Sequence, residues 1–208
     1  MDKLWDMNNK FFRFMAKLAD VVQLNLLWLL TSLPIITIGA STTAVYYTVL
    51  KVIHNDTGRL GKEFWRGFRE NFKMGTALWG LAVLIIGLLV LDLVIVHSFL
   101  QNSFLKLIML TALLVMLIAV LVWIQYGFSY SARFQDPLKT VIRNSLYLML
   151  GDLKNGLLIF AILIGSVILL LGSYGLLLAF LFPTAGIVVS SQVFEKLYKT
   201  HLNINETQ

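Results

Sequence analysis

The chain has 208 residues, 58% of them hydrophobic and only 13% charged, with a formal charge of +6 and no cysteine; its mean hydropathy is +0.80. A soluble domain carries about twice that share of charge to cover its surface, so a soluble globular fold is excluded. The absence of cysteine removes disulfides, thiolate metal sites and thiol nucleophiles, and the length leaves room for one membrane domain, residues 1–208, without a separate catalytic one.

Residues 1–20 read as an interfacial helix, with Leu4, Phe11, Met15 and Leu18 on one face and Lys3, Lys10, Arg13 and Lys17 beside it. Asp2, Asp6 and Asp20 interrupt the basic flank and Ile38 is too bulky for a cleavage site ahead of Gly39, so the first apolar segment is expected to stay as an anchor. Residues 21–53 form a helical hairpin broken at Ser32–Pro34, because proline belongs in a first helical turn and breaks an interior. Its arms, near 21–33 and 35–53, are short, which leaves a re-entrant hairpin as the alternative to two crossings. Gln23, Asn25, Thr31, Ser32 and Thr37 make it the most polar apolar segment. The small run Gly39, Ala40, Ser41, Thr42, Thr43 permits close helix approach, either as packing, as the lining of a polar path, or as a contact for a partner helix.

Residues 54–73 form a basic loop. Phe64, Phe68 and Phe72 recur four apart with Trp65 beside them, while Lys62, Arg66, Arg69 and Lys73 take the other face. This is an amphipathic cytoplasmic helix that lies on lipid with its cations toward anionic headgroups, or docks another subunit.

Residues 74–131 form a second hairpin. Met74–Leu100 holds one acidic residue, Asp92, and no basic one, and Leu107–Ser131 holds no charge. The polar patch Ser98, Gln101, Asn102, Ser103 divides them. Asp92 and Lys106 flank that turn and are expected to pair near the outer leaflet, although an intramembrane carboxylate can also serve transport. Residues 132–155 are a second basic loop, with Leu138, Ile142, Leu146 and Met149 in a stripe and Lys139 and Arg143 off it. Residues 156–195 are a third hairpin, uncharged from Gly156 to Val193, with its turn at Gly172–Gly175 or Phe182–Pro183; residues 196–208 are a tail.

About 20 apolar residues of helix span a hydrocarbon core about 30 Å thick, and backbone inside it must satisfy its own hydrogen bonds. The strand alternation of a β-barrel is not visible. Of the 17 lysines and arginines, 16, all but Lys106, fall in four stretches: before the first apolar block, from Lys51 to Lys73, from Arg133 to Lys154, and after the last block. Placing these basic stretches in the cytoplasm requires an even number of crossings in each interval. The predicted fold is therefore all-α: a polytopic integral membrane bundle of about six transmembrane helices, N-in and C-in, with amphipathic cytoplasmic loop helices.

A weak internal repeat is visible in Asn71-Phe72-Lys73-Met74-Gly75 against Asp152-Leu153-Lys154-Asn155-Gly156, as transporters often carry. His54, His97 and His201 have no ligand spacing, and no phosphate loop, dinucleotide fingerprint, zinc motif or nucleophile elbow occurs. No enzyme, cofactor or metal is expected. The loop cations suit lipid, and no element supports nucleic acid.

The run from Leu26 to Ala44, LLWLLTSLPIITIGASTTA, with Tyr46-Tyr47 to Lys51 and Phe72-Lys73 entering a helix, resembles the N-terminal signature of the YesL family of bacterial membrane proteins. The resemblance is strongest over residues 20–80, and beyond that it rests on length and hydropathy. Because family members occur near genes for carbohydrate-uptake ABC transporters and glycan-degrading enzymes, it implies an accessory role in sugar or oligosaccharide import. It transfers no catalytic residue. Two functions follow as expectations: a non-enzymatic subunit or assembly factor bound to ABC importer permeases, or an independent small-solute transporter or channel.

Overall fold

The structure, a computed structural model, describes residues 10–54, 59–100, 103–171 and 182–201. It is all-helical, with no strand among the described residues. Among the described residues seven α-helices follow one another: α1 (Lys10–Ser32), α2 (Ile38–Thr48), α3 (Leu60–Phe99), α4 (Ser103–Arg133), α5 (Leu138–Gly151), α6 (Leu153–Leu171) and α7 (Phe182–His201). Three described stretches are long and apolar enough to cross a membrane: Ile35–Ile53, α3 and α4. A fourth is possible if α5 and the start of α6, which meet at 101°, are counted together.

The break at Pro34 is where the sequence places it. A 3-10 turn, Ile35–Thr37, links α1 to α2. Thr37 Oγ1 donates to the carbonyls of Thr31 at 2.6 Å and Pro34 at 2.7 Å, satisfying acceptors that a helix end leaves without partners. α2 then passes into a π-helical turn, Val49–His54.

α2 is the centre of the molecule. Every residue from Gly39 to Thr48 is buried. The buried hydroxyls return to the backbone four residues earlier: Ser41 to Thr37 at 2.9 Å, Thr42 to Ile38 at 2.8 Å, Thr43 to Gly39 at 2.9 Å and Thr48 to Ala44 at 2.7 Å. Such back-bonding lets a hydroxyl be buried without water or an outside partner.

α2 packs antiparallel on α3 at near-backbone contact. A Cβ on Gly75 would lie 2.8 Å from Ala40 Cα, and one on Gly39 would overlap Gly75 O. Farther along, a Cβ on Gly67 would lie 2.7 Å from the Tyr47 ring. Only glycine permits these approaches. The inward face of α3 accordingly reads Leu60, Phe64, Gly67, Asn71, Gly75, Leu78, Ala82.

The basic segment expected as a separate loop helix ending at Lys73 is continuous with the apolar segment after it. α3 runs unbroken for 40 residues, about 60 Å at 1.5 Å per residue. No glycine or proline cap interrupts it, and Gly67 and Gly75 are tolerated inside it because Tyr47, Gly39 and Ala40 of α2 pack against them. Beyond Trp79 the character changes. From Val83 to Phe99 only Leu89 and Val96 are buried, and from Ser103 to Leu121 in α4 no residue is. This half is a two-helix hairpin with a single seam, the division falling at Leu100–Ser103 as expected.

α5 turns inward by Val141, Ser145 and Leu148, one residue off the expected stripe, and Leu146 of that stripe is exposed. Ser145 Oγ accepts from the Trp123 indole at 2.9 Å, so a polar residue holds an inward position that a hydropathy stripe skips. Asp152 ends α5 and caps α6, accepting from Asn155 N at 3.2 Å and Asn155 Nδ2 at 2.6 Å. The two halves of the suggested repeat therefore differ: Phe72–Gly75 lies within straight helix, whereas Asp152–Gly156 straddles a sharp bend. The anticipated turn at 172–175 lies outside the described residues, and α7 begins at Phe182.

Candidate functional site

At the charged end of the bundle, the π-turn after α2, the first turns of α3, the last turn of α4 and the middle of α7 surround a cavity of about 400 Å³. Tyr47, Lys51, Arg66, Glu70, Arg133 and Glu195 line it. Arg66 Nε donates to Glu70 at 2.9 Å along α3, an i,i+4 pair, and Arg133 Nη1 donates to Glu195 at 2.6 Å, tying α4 to α7. The Lys51 ammonium lies 5.7 Å from the Tyr47 ring centre, and the Arg133 guanidinium 5.5 Å from that of Tyr198, within cation–π range.

Beneath the cavity, aromatic rings and hydroxyls join α2, α4 and α7. The Tyr46 hydroxyl donates to Gln125 Oε1 at 3.0 Å and meets Ser190 Oγ at 3.1 Å. The Tyr198 hydroxyl donates to Ser129 at 3.3 Å, and burial raises its phenol well above the usual tyrosine range. Phe194 stands edge-on to Tyr126 at 4.8 Å and to Tyr46 at 5.9 Å. These hydroxyls hold one another; none is paired with a base that would make it a nucleophile. Among the described residues no cluster of three histidine or carboxylate side chains could hold a metal. The arrangement can anchor helices and receive a charged or polar group at its mouth.

The structure distributes the sequence candidates differently from one another. Gly39, Ala40, Ser41, Thr42 and Thr43 make a close helix contact, and the helix they meet is α3 of the same chain. With all five buried, they present no surface to a second protein while α3 is docked. Of the aromatic-basic segment, Phe64 is fully buried and Phe68 half-buried against the core. Trp65, Arg66, Arg69, Phe72 and Lys73 are exposed. Trp65 and Phe72 each stack edge-on against Phe68, at 5.8 and 5.5 Å, so an aromatic ladder runs up the outer face of α3 beside its cations. The expected Asp92–Lys106 ion pair is not made. Lys106 Nζ instead donates to the His97 carbonyl at 2.7 Å, capping the last turn of α3, where carbonyls lack helical partners. Asp92 lies two turns deeper and is exposed on the hairpin.

Sequence reasoning missed the Tyr46–Gln125–Ser190 and Arg133–Glu195 links. The available signal was weak: Glu195 is the one acidic residue between Asp152 and the tail, and Tyr46, Tyr126 and Tyr198 read as apolar when hydropathy is averaged.

No curated protein and no solved structure matches the chain. Residues 21–93, which comprise the Pro34 turn, α2 and most of α3, match the family described as protein of unknown function, DUF624.

Proposed function

We propose that this protein is a non-enzymatic accessory subunit or assembly factor of a carbohydrate or oligosaccharide ABC importer. It sits in a bacterial cell membrane with its basic stretches and both termini on the cytoplasmic side. The observation that carries the accessory reading is the form of α3. A membrane hairpin and an exposed face bearing Trp65, Arg66, Arg69, Phe72 and Lys73 belong to one rigid helix, so a partner seated on that face is held at a fixed height relative to the bilayer. Trp65 is 47% and Phe72 39% exposed among the described residues; aromatic and arginine side chains are what protein interfaces enrich. The choice of a carbohydrate importer rests on the YesL resemblance alone.

The transporter alternative draws less support. Its polar candidates in α2 are buried and bonded to their own backbone, and Asp92 and Lys106 are the charged side chains described between Gly80 and Val122, too few for a relay across the membrane. The test is affinity purification in mild detergent with identification of what co-elutes. Permease subunits are expected with the native chain and are lost with Trp65→Ala/Phe72→Ala. Purified protein in liposomes should show no saturable sugar uptake, and uptake by this chain alone would promote the transporter reading.

A further inference from the structure

Residues 35–53 are apolar enough to cross a membrane, but their neighbours in the fold place them elsewhere. We infer that residues 21–53 do not cross the bilayer and that the Pro34 turn is a wedge inserted into the acyl chains of the cytoplasmic leaflet.

The argument starts from registry on α3. Gly39 touches Gly75 and Trp79, and Tyr47 touches Gly67; the Trp79 indole donates to Ile35 O at 2.9 Å. The whole of α2 therefore runs beside the first half of α3, whose other face exposes Lys62, Arg66, Arg69 and Lys73. Four cations over three turns cannot sit in hydrocarbon, so α2 beside them lies outside it. Past Trp79, α3 continues for 20 residues to Phe99, about 30 Å, which is one hydrocarbon thickness. The turn thus stops a full membrane short of the α3–α4 loop.

Two further elements mark the same level. Trp123 of α4 binds Ser145 of α5, and Ile142, Leu146 and Met149 of α5 line one cavity with Leu81, Ile85 and Ala119. α5 meets α6 at 101°, so it lies in the membrane plane when α6 stands upright. Trp79 and Trp123 are then interfacial tryptophans on two adjacent helices. At that level Leu30, Leu33, Ile35 and Ile36 are 65%, 78%, 72% and 68% exposed. They form an apolar tip continuous with the exposed apolar belt of α3 and α4, which begins at Val83. That continuity, with cations below the tip and none beside it on α3, identifies acyl chains as the occupant. An even number of crossings between Lys17 and Lys51 is satisfied by none as well as by two.

The chain has no cysteine, so single-cysteine variants report cleanly. Leu33→Cys and Ile36→Cys would be compared with Arg69→Cys, Leu88→Cys and Ser103→Cys. In intact cells an impermeant maleimide should label Ser103→Cys only. A depth-sensitive fluorophore on Leu33→Cys or Ile36→Cys, in phosphatidylethanolamine/phosphatidylglycerol vesicles, should be quenched several-fold more by a quencher near the lipid headgroup than by one at the chain terminus; Leu88→Cys should show the reverse. Labelling of Leu33→Cys or Ile36→Cys from outside overturns the inference by showing two crossings. Stronger quenching from the chain terminus overturns it by placing the tip at midplane. Emission insensitive to both quenchers overturns it by showing that water or protein covers the tip.

Discussion

Residues 39–48 and residues 83–95 are both helical and rich in apolar side chains, yet they face different media. In the first stretch every residue is covered by the chain itself; in the second only Leu89 is. Hydropathy scores both as membrane, because it records a preference against water and is silent about whether protein or lipid replaces it. Packing separates them. The first has glycine in backbone contact and hydroxyls bonded inward, and the second has one seam and an apolar surface all round.

Paired substitutions on either side of Trp79 sharpen this contrast. The largest effect is expected for Leu78→Ala, which opens a hole at a fully buried position and should cost about 2–5 kcal/mol. Leu88→Ala, on the exposed belt, should barely shift thermal unfolding of the purified protein in detergent. Equal losses would show that the hairpin is as tightly packed as the core. Gly75→Ala comes next, since its Cβ would meet the backbone of Ala40; overpacking of this kind costs about 1–3 kcal/mol. Gly80→Ala and Gly87→Ala on the same helix meet nothing within 4 Å and should be neutral or stabilising by up to about 1 kcal/mol, read as a raised melting temperature. Tyr46→Phe removes the hydroxyl that bonds Gln125 and Ser190, although Ser190 keeps its bond to the Ile187 carbonyl, and is expected to lose about 1–3 kcal/mol, measured by the same melt, with Ser190→Ala losing less. Smallest is Arg133→Ala. It breaks the pair with Glu195, whose side chains are 22% and 25% exposed, and should cost about 1 kcal/mol and lose part of that in high salt.

The positions of breaks were legible because backbone chemistry is local. Pro34 ends α1, and the polar patch around Gln101 and Asn102 separates α3 from α4. Glycine was harder. Gly39 announced a close contact without naming the partner, and Gly75, which completes it, looked like Gly80 and Gly87, which do nothing comparable. Phe64, Phe68 and Phe72 read as one face, but the glycines at 67 and 75 and Asn71 define the true inward line, so that Phe64 points in and Phe72 out. The ion pair of Asp92 with Lys106 failed for a similar reason: proximity in sequence across a turn did not reveal that a free carbonyl at His97 was nearer.

The sequence by itself determined that this chain is helical and has membrane-length apolar segments, and where its positive charge gathers. Hydropathy, proline placement and charge asymmetry act over one or two helical turns and need no neighbour. Only the tertiary structure decided that α2 is a core helix, that the basic segment and the span after it are a single helix, and that the Pro34 turn ends level with Trp79. Each of these depends on which residue of another helix lies opposite, a relation set by Gly39 against Gly75 and Tyr47 against Gly67, across some 20 to 40 residues of chain that no local pattern spans.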